Sequence, residues 1–334
     1  MTAAPRSPTP VGPSSALAEP AGAPLRVLVA SHPFGEVDPW PLEALAAAGL
    51  ELVRNPHGRK LRPAELRALL PGCAAVVAGT EPYDAATLDA APALRLIART
   101  GVGLDSVDLE ACRARGVEVA TTPDAPADSV AELTVGLIVS LARHVARADR
   151  EVRAGGWTRR VGWLLRERTV GLVGLGRIGS RVARLLGPFG CRLLASDPDP
   201  SVARLAPALG VALVPLERLL DEADVVSLHV PLEPGTRGLL DADALARVRP
   251  GALLVNTARG EVVDEAALLA ALEAGRLGGA ALDVFADEPY AGPLAARDDV
   301  LLTCHMGSCS DAGRRAMERG AAEAVLAWAA REGG

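Results

Sequence analysis

The sequence lacks the surplus of positive charge that a nucleic-acid partner requires. Its 35 lysine and arginine residues are outnumbered by 41 aspartate and glutamate residues, so the formal net charge is -6 at pH 7. Binding to a polyanion depends on clustered cations that neutralise phosphates, and no nucleic-acid partner is therefore predicted. The sequence also has no uninterrupted apolar run of about eighteen residues, so no membrane-spanning segment is predicted.

Cysteine is scarce, and its spacing matches neither a disulfide framework nor a metal site. The set is odd in number and consists of Cys73, Cys112, Cys191, Cys304 and Cys309. We therefore expect reduced thiols in a cytoplasmic protein, without a metal. Residues 1–24 are rich in Pro, Ala, Gly and Ser and contain no continuous apolar stretch, which predicts a disordered tail rather than a signal peptide.

The 334 residues exceed the usual range of one hydrophobic core, so two domains are expected. After the tail, short apolar runs alternate with amphipathic stretches, which is typical of βαβ units and predicts an α/β fold with two doubly wound parallel sheets. The first set of strands is predicted at 25–31, 73–79 and 94–100, with helices at 39–48 and 63–70. The second set is predicted at 169–174, 191–196, 224–230, 252–257, 279–284 and 300–303.

Two further segments connect these sets. Residues 122–128 (TPDAPAD) contain prolines and aspartates that break regular structure, so we predict a hinge there, followed by a helix over 129–155. Residues 311–331 have helical periodicity and are predicted to return to the first set. The first domain, flavodoxin-like, would then comprise 25–125 plus 306–334, with a Rossmann-type domain over 126–305 inserted in it.

The first motif with a chemical meaning is glycine-rich. Gly174, Gly176 and Gly179 have the G-x-G-x-x-G spacing directly after an apolar strand and before a helical pattern. In a dinucleotide site these glycines permit the tight turn, the approach of the pyrophosphate and close helix packing. Asp197 closes the next strand and can accept the ribose hydroxyls while repelling a 2′-phosphate, which favours NAD over NADP. The alternatives are a chance glycine turn and an Asp-Pro turn.

Polar residues follow several strands of the second set, where ligands bind in open parallel sheets. They are Asp197, His229, Arg259, Asp283, Glu288 and His305. A histidine suits acid/base work near neutral pH, and a carboxylate beside it would favour the imidazolium. We therefore predict His305 as the acid/base and Glu288 as its partner. The planar guanidinium of Arg259 is predicted to bind a carboxylate through two N–H groups.

Each of these residues has a simpler interpretation. His305 could be a hydrogen-bonded strand-end histidine, Glu288 a turn carboxylate and Arg259 one half of a surface ion pair. His229 could cap a strand rather than contact the cofactor. Cys304, beside His305, is interpreted as a small packing residue because hydride chemistry needs no thiolate.

Longer motifs resemble the D-isomer-specific 2-hydroxyacid dehydrogenase family, most closely its D-3-phosphoglycerate dehydrogenase-like members. The motifs lie in order from about residue 70 to the end and are ARTGVGLDSVD, TVGLVGLGRIGSRVA, SLHVPLEPGTRGLL, RPGALLVNTARGEVVDEAAL, GAALDVFADEP and LLTCHMGS. The resemblance implies a catalytic trio of Arg259, Glu288 and His305 and a homodimer joined through the cofactor domains. It also implies that the backbone of Val102 and Gly103 holds the substrate carboxylate. The NAD contacts that it implies, besides the glycines and the candidate His229, are Arg177, Ile178, Asp197, Thr257, Ala258, Asp283 and the stretch from His305 through Gly307 and Ser308.

Three departures from the family pattern are visible. Ala125 and Pro126 replace a Gly-Asn pair that many members carry, and the loop 79–84 (GTEPYD) lacks an arginine for a substrate phosphate. The chain ends about thirty residues after His305, so no serine-sensing domain is expected.

The function expected from the sequence is interconversion of a D-2-hydroxy acid and its 2-keto acid with NAD. The substrate would be 3-phosphoglycerate or a close analogue. One alternative is a reductase for glyoxylate, hydroxypyruvate or a phosphonate analogue. An alternative of another class is a corepressor-like protein that responds to NAD.

Overall fold

A computed structural model describes residues 24–332. It contains one sheet of five strands and one of seven, and all strand pairs in both sheets are parallel. The two parallel α/β sheets confirm the predicted fold class. The tail predicted for residues 1–24 lies, apart from Pro24, outside the described residues.

The first sheet has the order β2-β1-β3-β4-β5, which is the flavodoxin-like order. Its strands are β1 (Arg26–Val29), β2 (Glu51–Arg54), β3 (Ala75–Ala78), β4 (Leu96–Arg99) and β5 (Glu118–Ala120). Its helices are α1 (Trp40–Ala47), α2 (Pro63–Leu69), α3 (Ala85–Asp89) and α4 (Leu109–Ala114). Asp84 and Asp108 cap α3 and α4 by accepting backbone N–H bonds at 2.8 Å, which fixes where both helices begin.

The second sheet has the order β12-β11-β10-β9-β6-β7-β8, so its strand order reverses beside β6 as in a Rossmann fold. Its strands are β6 (Thr169–Val173), β7 (Arg192–Ser196), β8 (Val211–Leu213), β9 (Val225–Leu228), β10 (Ala252–Asn256), β11 (Leu277–Leu282) and β12 (Val300–Leu302). Four helices connect these strands: α7 (Arg177–Leu186), α8 (Leu216–Glu222), α9 (Ala242–Arg247) and α10 (Glu265–Glu273). The prediction of six strands was wrong by one, because β8 was missed.

The single helix predicted over 129–155 was also wrong. Two helices, α5 (Ala127–Ala142) and α6 (Val145–Arg153), meet at a bend of 63°. His144 between them has a φ of 56°, in the left-handed region that commonly ends a helix. Buried side chains of α5, including Leu137 and Ile138, pack in the core of the second sheet.

The last helix, α11 (Asp311–Glu332), lies against the first sheet. Its Val325 and Trp328 pack in one core cluster with Val27 and Val77 of β1 and β3. The chain therefore passes between the two sheets twice, and the hydroxyl oxygens of Ser129 and Ser310 lie 2.5 Å apart near the two crossings. Domain boundaries at 125 and 305 remain a prediction.

Among residues 24–332 no single helix is long and apolar enough to cross a membrane, although α5 and α6 taken together reach that length and composition. The same residues contain no group of three or more His, Cys, Asp or Glu side chains placed to hold a metal ion. All five cysteines are free thiols.

Candidate active site

A cleft of about 670 Å³ lies at the carboxyl ends of the strands. Its walls are the loops that follow β4 in the first sheet and β6, β9, β10, β11 and β12 in the second. Met317 of α11 also lines it. Ligands of open parallel sheets bind beyond the carboxyl ends of strands, so this cleft is the expected site.

The glycine loop after β6 has the shape that a dinucleotide needs. Gly174 has a φ of 95°, and a Cβ there would lie 2.5 Å from the carbonyl oxygen of His229. A Cβ on Gly179 would overlap the carbonyl oxygen of Gly174, so helix α7 packs directly on the loop. A Cβ on Gly176, at the start of α7, would meet no heavy atom within 4 Å. The loop therefore leaves open space at a helix N-terminus, where a pyrophosphate can approach the backbone.

Asp197 and His229 flank this loop. The Asp197 carboxylate accepts the N–H of Leu175 at 2.7 Å and that of Asp199 at 2.9 Å, and it forms no ion pair with residues 24–332. A 2′-phosphate would find a carboxylate there rather than a cation, which agrees with NAD. Burial lowers the pKa of His229 to about 3, so its imidazole is neutral, and it hydrogen-bonds the Ser227 hydroxyl at 3.0 Å.

Arg259 is held from two sides. The side chain of Asn256 bridges the turn after β10, accepting from the N–H of Ala258 at 3.0 Å and donating to the carbonyl of Arg259 at 2.8 Å. Arg259 donates from Nη1 to the Ala258 carbonyl at 2.7 Å and from Nε to the Asp105 carboxylate at 2.9 Å. Asp105 belongs to the loop after β4, so the guanidinium spans the cleft between the sheets.

His305 and Glu288 form a hydrogen-bonded pair. Nδ1 of His305 lies 2.9 Å from Oε2 and 3.1 Å from Oε1 of Glu288, whose Oε1 also accepts the N–H of Phe285. Burial would raise the pKa of Glu288, but the hydrogen bond and charge of His305 and the Phe285 N–H lower it below its usual value. The carboxylate is therefore ionised at neutral pH. Because it engages Nδ1, Nε2 is the ring nitrogen left for a substrate.

The loop that carries His305 is fixed by a buried carboxylate. Asp283 accepts from the N–H groups of Met306 at 2.9 Å and Gly307 at 2.8 Å and from the Thr303 hydroxyl at 2.6 Å. Its own carbonyl accepts the N–H of His305 at 2.7 Å. These bonds hold His305 at a φ of 53°, which a non-glycine residue rarely adopts and which recurs at functional sites. Both carboxylate oxygens of Asp283 are engaged by this loop, and its contact with a cofactor stays a prediction.

Residues 135–307 match the family model of the D-isomer specific 2-hydroxyacid dehydrogenase, NAD binding domain. This chain belongs to that family.

The chain is similar to several named dehydrogenases and reductases. D-3-phosphoglycerate dehydrogenase of Mycobacterium leprae (strain TN) is 44% identical over 238 residues, which cover 70% of this chain and 45% of the relative. The chain thus spans less than half the length of that relative. Glyoxylate reductase of Korarchaeum cryptofilum (strain OPF8) is 41% identical over 259 residues, which cover 75% of this chain and 77% of the relative. The structure of D-lactate dehydrogenase from Aquifex aeolicus, complexed with NAD and lactic acid, has a TM-score of 0.78 and 27% identity over 91% of this chain and 95% of that one.

The structure brings most of the predicted site residues of this family member to one cleft. Those lining it are Val102, Gly103, Gly176, Arg177, Ile178, His229, Thr257, Ala258, Arg259, Asp283, His305, Gly307 and Ser308. Glu288 contacts the cleft through His305, while Gly174, Gly179 and Asp197 support the loop beneath Gly176.

Two residues that organise this family site were missed from the sequence, Asp105 and Asn256. Asp105 stands two positions after Gly103 in the motif at 98–108, so its place in a loop after a strand was a signal that could have found it. Asn256 ends β10 three positions before Arg259. Both act on Arg259 or its turn, and neither belongs to the strand-end set that was predicted.

Proposed function

We propose that this chain interconverts a D-2-hydroxy acid and its 2-keto acid with NAD. The observation that carries the proposal is the placement of Arg259, the His305–Glu288 pair and the open face of Gly176 around one cleft. This reaction requires three parts: a cation that binds the substrate carboxylate, an acid/base that exchanges a proton with the C2 oxygen, and a loop that binds the dinucleotide.

Each residue has a defined part in this scheme. A bound NAD, held through its pyrophosphate by the glycine loop, would supply the hydride to C2 in reduction and accept it in oxidation. Arg259 binds the carboxylate of the substrate with its outward N–H groups, and the backbone of Val102 and Gly103 contacts the same group. In reduction, Nε2 of protonated His305 donates its proton to the C2 oxygen, and in oxidation neutral Nε2 removes the hydroxyl proton. Glu288 is a positioning residue that holds Nδ1 and favours the imidazolium.

The substrate beyond its 2-keto acid group has two candidates. 3-Phosphoglycerate or a close analogue is the first, because several relatives are named D-3-phosphoglycerate dehydrogenases. Glyoxylate or hydroxypyruvate is the second. In its favour, each arginine that lines the cleft already has a partner: Arg99 donates to the Gly103 carbonyl, Arg177 pairs with Asp124 and Arg259 with Asp105. A substrate phosphate would therefore have to share an arginine that already contacts another group of the protein.

Steady-state rates with NADH test the proposal. The panel comprises glyoxylate, hydroxypyruvate, phosphohydroxypyruvate and phosphonopyruvate, and NADH absorbance reports turnover. We expect turnover with at least one acid, and the preferred acid assigns the substrate. Tight NADH binding without turnover on the whole panel would contradict the proposal and favour a corepressor-like NAD-binding protein.

Replacing Glu288 by glutamine is expected to change how kcat/KM depends on pH while leaving the fold intact. The variant keeps a hydrogen-bonding partner for Nδ1 but removes the negative charge that favours the imidazolium. Reduction requires the protonated ring and oxidation the neutral one, so without this charge reduction should fall off at a lower pH and oxidation should persist further into acid. Profiles of kcat/KM in both directions measure this shift. Glu265→Gln is the control, because Glu265 accepts the Ala286 N–H of the same loop without contacting His305; equal profiles for all three proteins would contradict the assignment.

We also propose that the chain forms a homodimer through the seven-stranded unit. The segment 145–161 exposes Val145, Val152, Trp157 and Val161, the last two at 80% and 93%. Large exposed apolar side chains in one short segment are typical of an interface. Light scattering is expected to give the mass of two chains, and the double variant Trp157→Asp, Val161→Asp should give that of one. A monomeric wild-type protein would overturn this assignment.

A further inference from the structure

An ion pair joins the two walls of the cleft. Asp105 follows β4 of the five-stranded sheet, and Arg259 follows β10 of the seven-stranded sheet. Oδ1 of Asp105 accepts from Nε of Arg259 at 2.9 Å, although 154 positions separate the residues in the chain. The two side chains are only 33% and 23% exposed, so water screens this pair less than it would an ordinary surface ion pair.

The loop that carries Asp105 is itself held in place by Arg99, a buried residue of the same sheet. Arg99, the last residue of β4, is 3% exposed and donates from Nε and Nη2 to the Gly103 carbonyl at 3.0 and 2.9 Å. A Cβ on Gly103 would overlap Nη2 of Arg259, so backbone and guanidinium are in direct contact. The buried Arg99 thus fixes the surface on which the Arg259 guanidinium rests.

These contacts determine which donors of Arg259 remain available. Nε is occupied by Asp105, and Nη1 donates to the Ala258 carbonyl at 2.7 Å. Because the guanidinium is planar, two acceptors on different sides fix its orientation. The N–H groups of Nη1 and Nη2 that point into the cleft are left for a substrate carboxylate. They point there only when Asp105, on the wall opposite Arg259, accepts from Nε.

We propose that Asp105 is a positioning residue that orients Arg259 across the cleft and so couples the approach of the two sheets to recognition of the substrate carboxylate. The assignment rests on the proposed function. Asp105 acts through Arg259 and need not touch the substrate.

The hydrogen bond and the charge of Asp105 should have opposite effects. Burial would raise the pKa of Asp105, but the charge and hydrogen bond of Arg259 lower it below its usual value, so the carboxylate is ionised at neutral pH. Its negative charge then opposes the substrate anion, while its hydrogen bond aligns the guanidinium that binds this anion. Asparagine keeps an acceptor at the Oδ1 position without the charge, and alanine removes both.

Three variants test the proposal: Asp105→Ala, Asp105→Asn and the control Asp89→Ala, which removes another aspartate–arginine pair of the first sheet away from the cleft. We expect Asp105→Ala to lower kcat/KM for the 2-keto acid about 10- to 100-fold, the cost of a misplaced catalytic group. Its Kd for NADH should stay within about twofold of wild type. Asp105→Asn should recover most of kcat with an equal or lower KM, and Asp89→Ala should behave as wild type. Binding of oxalate, an unreactive dicarboxylate, to the NADH complex should weaken in the alanine variant only.

Two results would overturn the inference: an alanine variant with wild-type kcat/KM, or an asparagine variant as impaired as the alanine one. If the alanine variant fails to fold, by melting curve, the asparagine variant decides alone, since it either keeps or loses kcat. Failure of the proposed function looks different, because the wild-type protein would then turn over none of the acids.

Discussion

Replacing His305 by asparagine is expected to lower kcat about 10²- to 10⁴-fold in both directions, the usual contribution of a general acid/base. The variant removes the ring nitrogen that exchanges a proton with the C2 oxygen. Asparagine is the preferred replacement because His305 has a φ of 53°, a left-handed conformation that asparagine tolerates better than most residues. The backbone bond to the Asp283 carbonyl should therefore persist.

The measurement is kcat for the best acid of the panel, together with Kd for NADH, which should change little. His144→Asn is a matched control, since His144 is the other non-glycine residue at positive φ among residues 24–332 and lies at the bend between α5 and α6, outside the cleft. Unchanged turnover in His305→Asn would refute the acid/base role.

Replacing Gly176 by alanine is expected to weaken NADH binding about 10- to 100-fold, which corresponds to one or two lost hydrogen bonds to a charged group. A Cβ at this position meets no heavy atom of the protein within 4 Å. The methyl group would instead occupy the space that the pyrophosphate needs beside the N-terminus of α7. The melting temperature without cofactor should therefore stay at the wild-type value.

Gly187→Ala provides the control, because Gly187 stands at the other end of α7, also has open space around its Cβ position and does not line the cleft. Titration with NADH, followed by fluorescence, gives both affinities. Equal affinity in Gly176→Ala and wild type would mean that the dinucleotide does not approach this loop.

The strands predicted from the sequence are those with buried faces. A central strand such as β3 or β10 is buried at every position and shows as an apolar run. The missed strands β2, β5 and β8 are edge strands with largely exposed or half-exposed residues. Their pairing with a neighbour, rather than their own composition, makes them strands. The bend at His144 was missed for a similar reason, since neither glycine nor proline marks it.

The strand-end rule located Arg259 and His305, because topology alone brings the carboxyl ends of parallel strands to one edge. It did not predict which donor of Arg259 is free, since that depends on Asp105, which lies in the other sheet. The hydrogen bonds of Asp283 were also beyond the sequence, because loop conformation determines them. Which residues gather at the cleft was thus predictable, whereas their orientation required three-dimensional contacts.

The two passages of the chain between the sheets restrict how the protein can move. A single connection would let the sheets swivel freely, whereas two neighbouring connections, with the Ser129 and Ser310 hydroxyls in contact, confine relative motion to rotation about one line. Such a rotation would widen the cleft on the side away from these two crossings. The Ser129–Ser310 contact near this axis would persist, whereas the Asp105–Arg259 ion pair between the two walls would break.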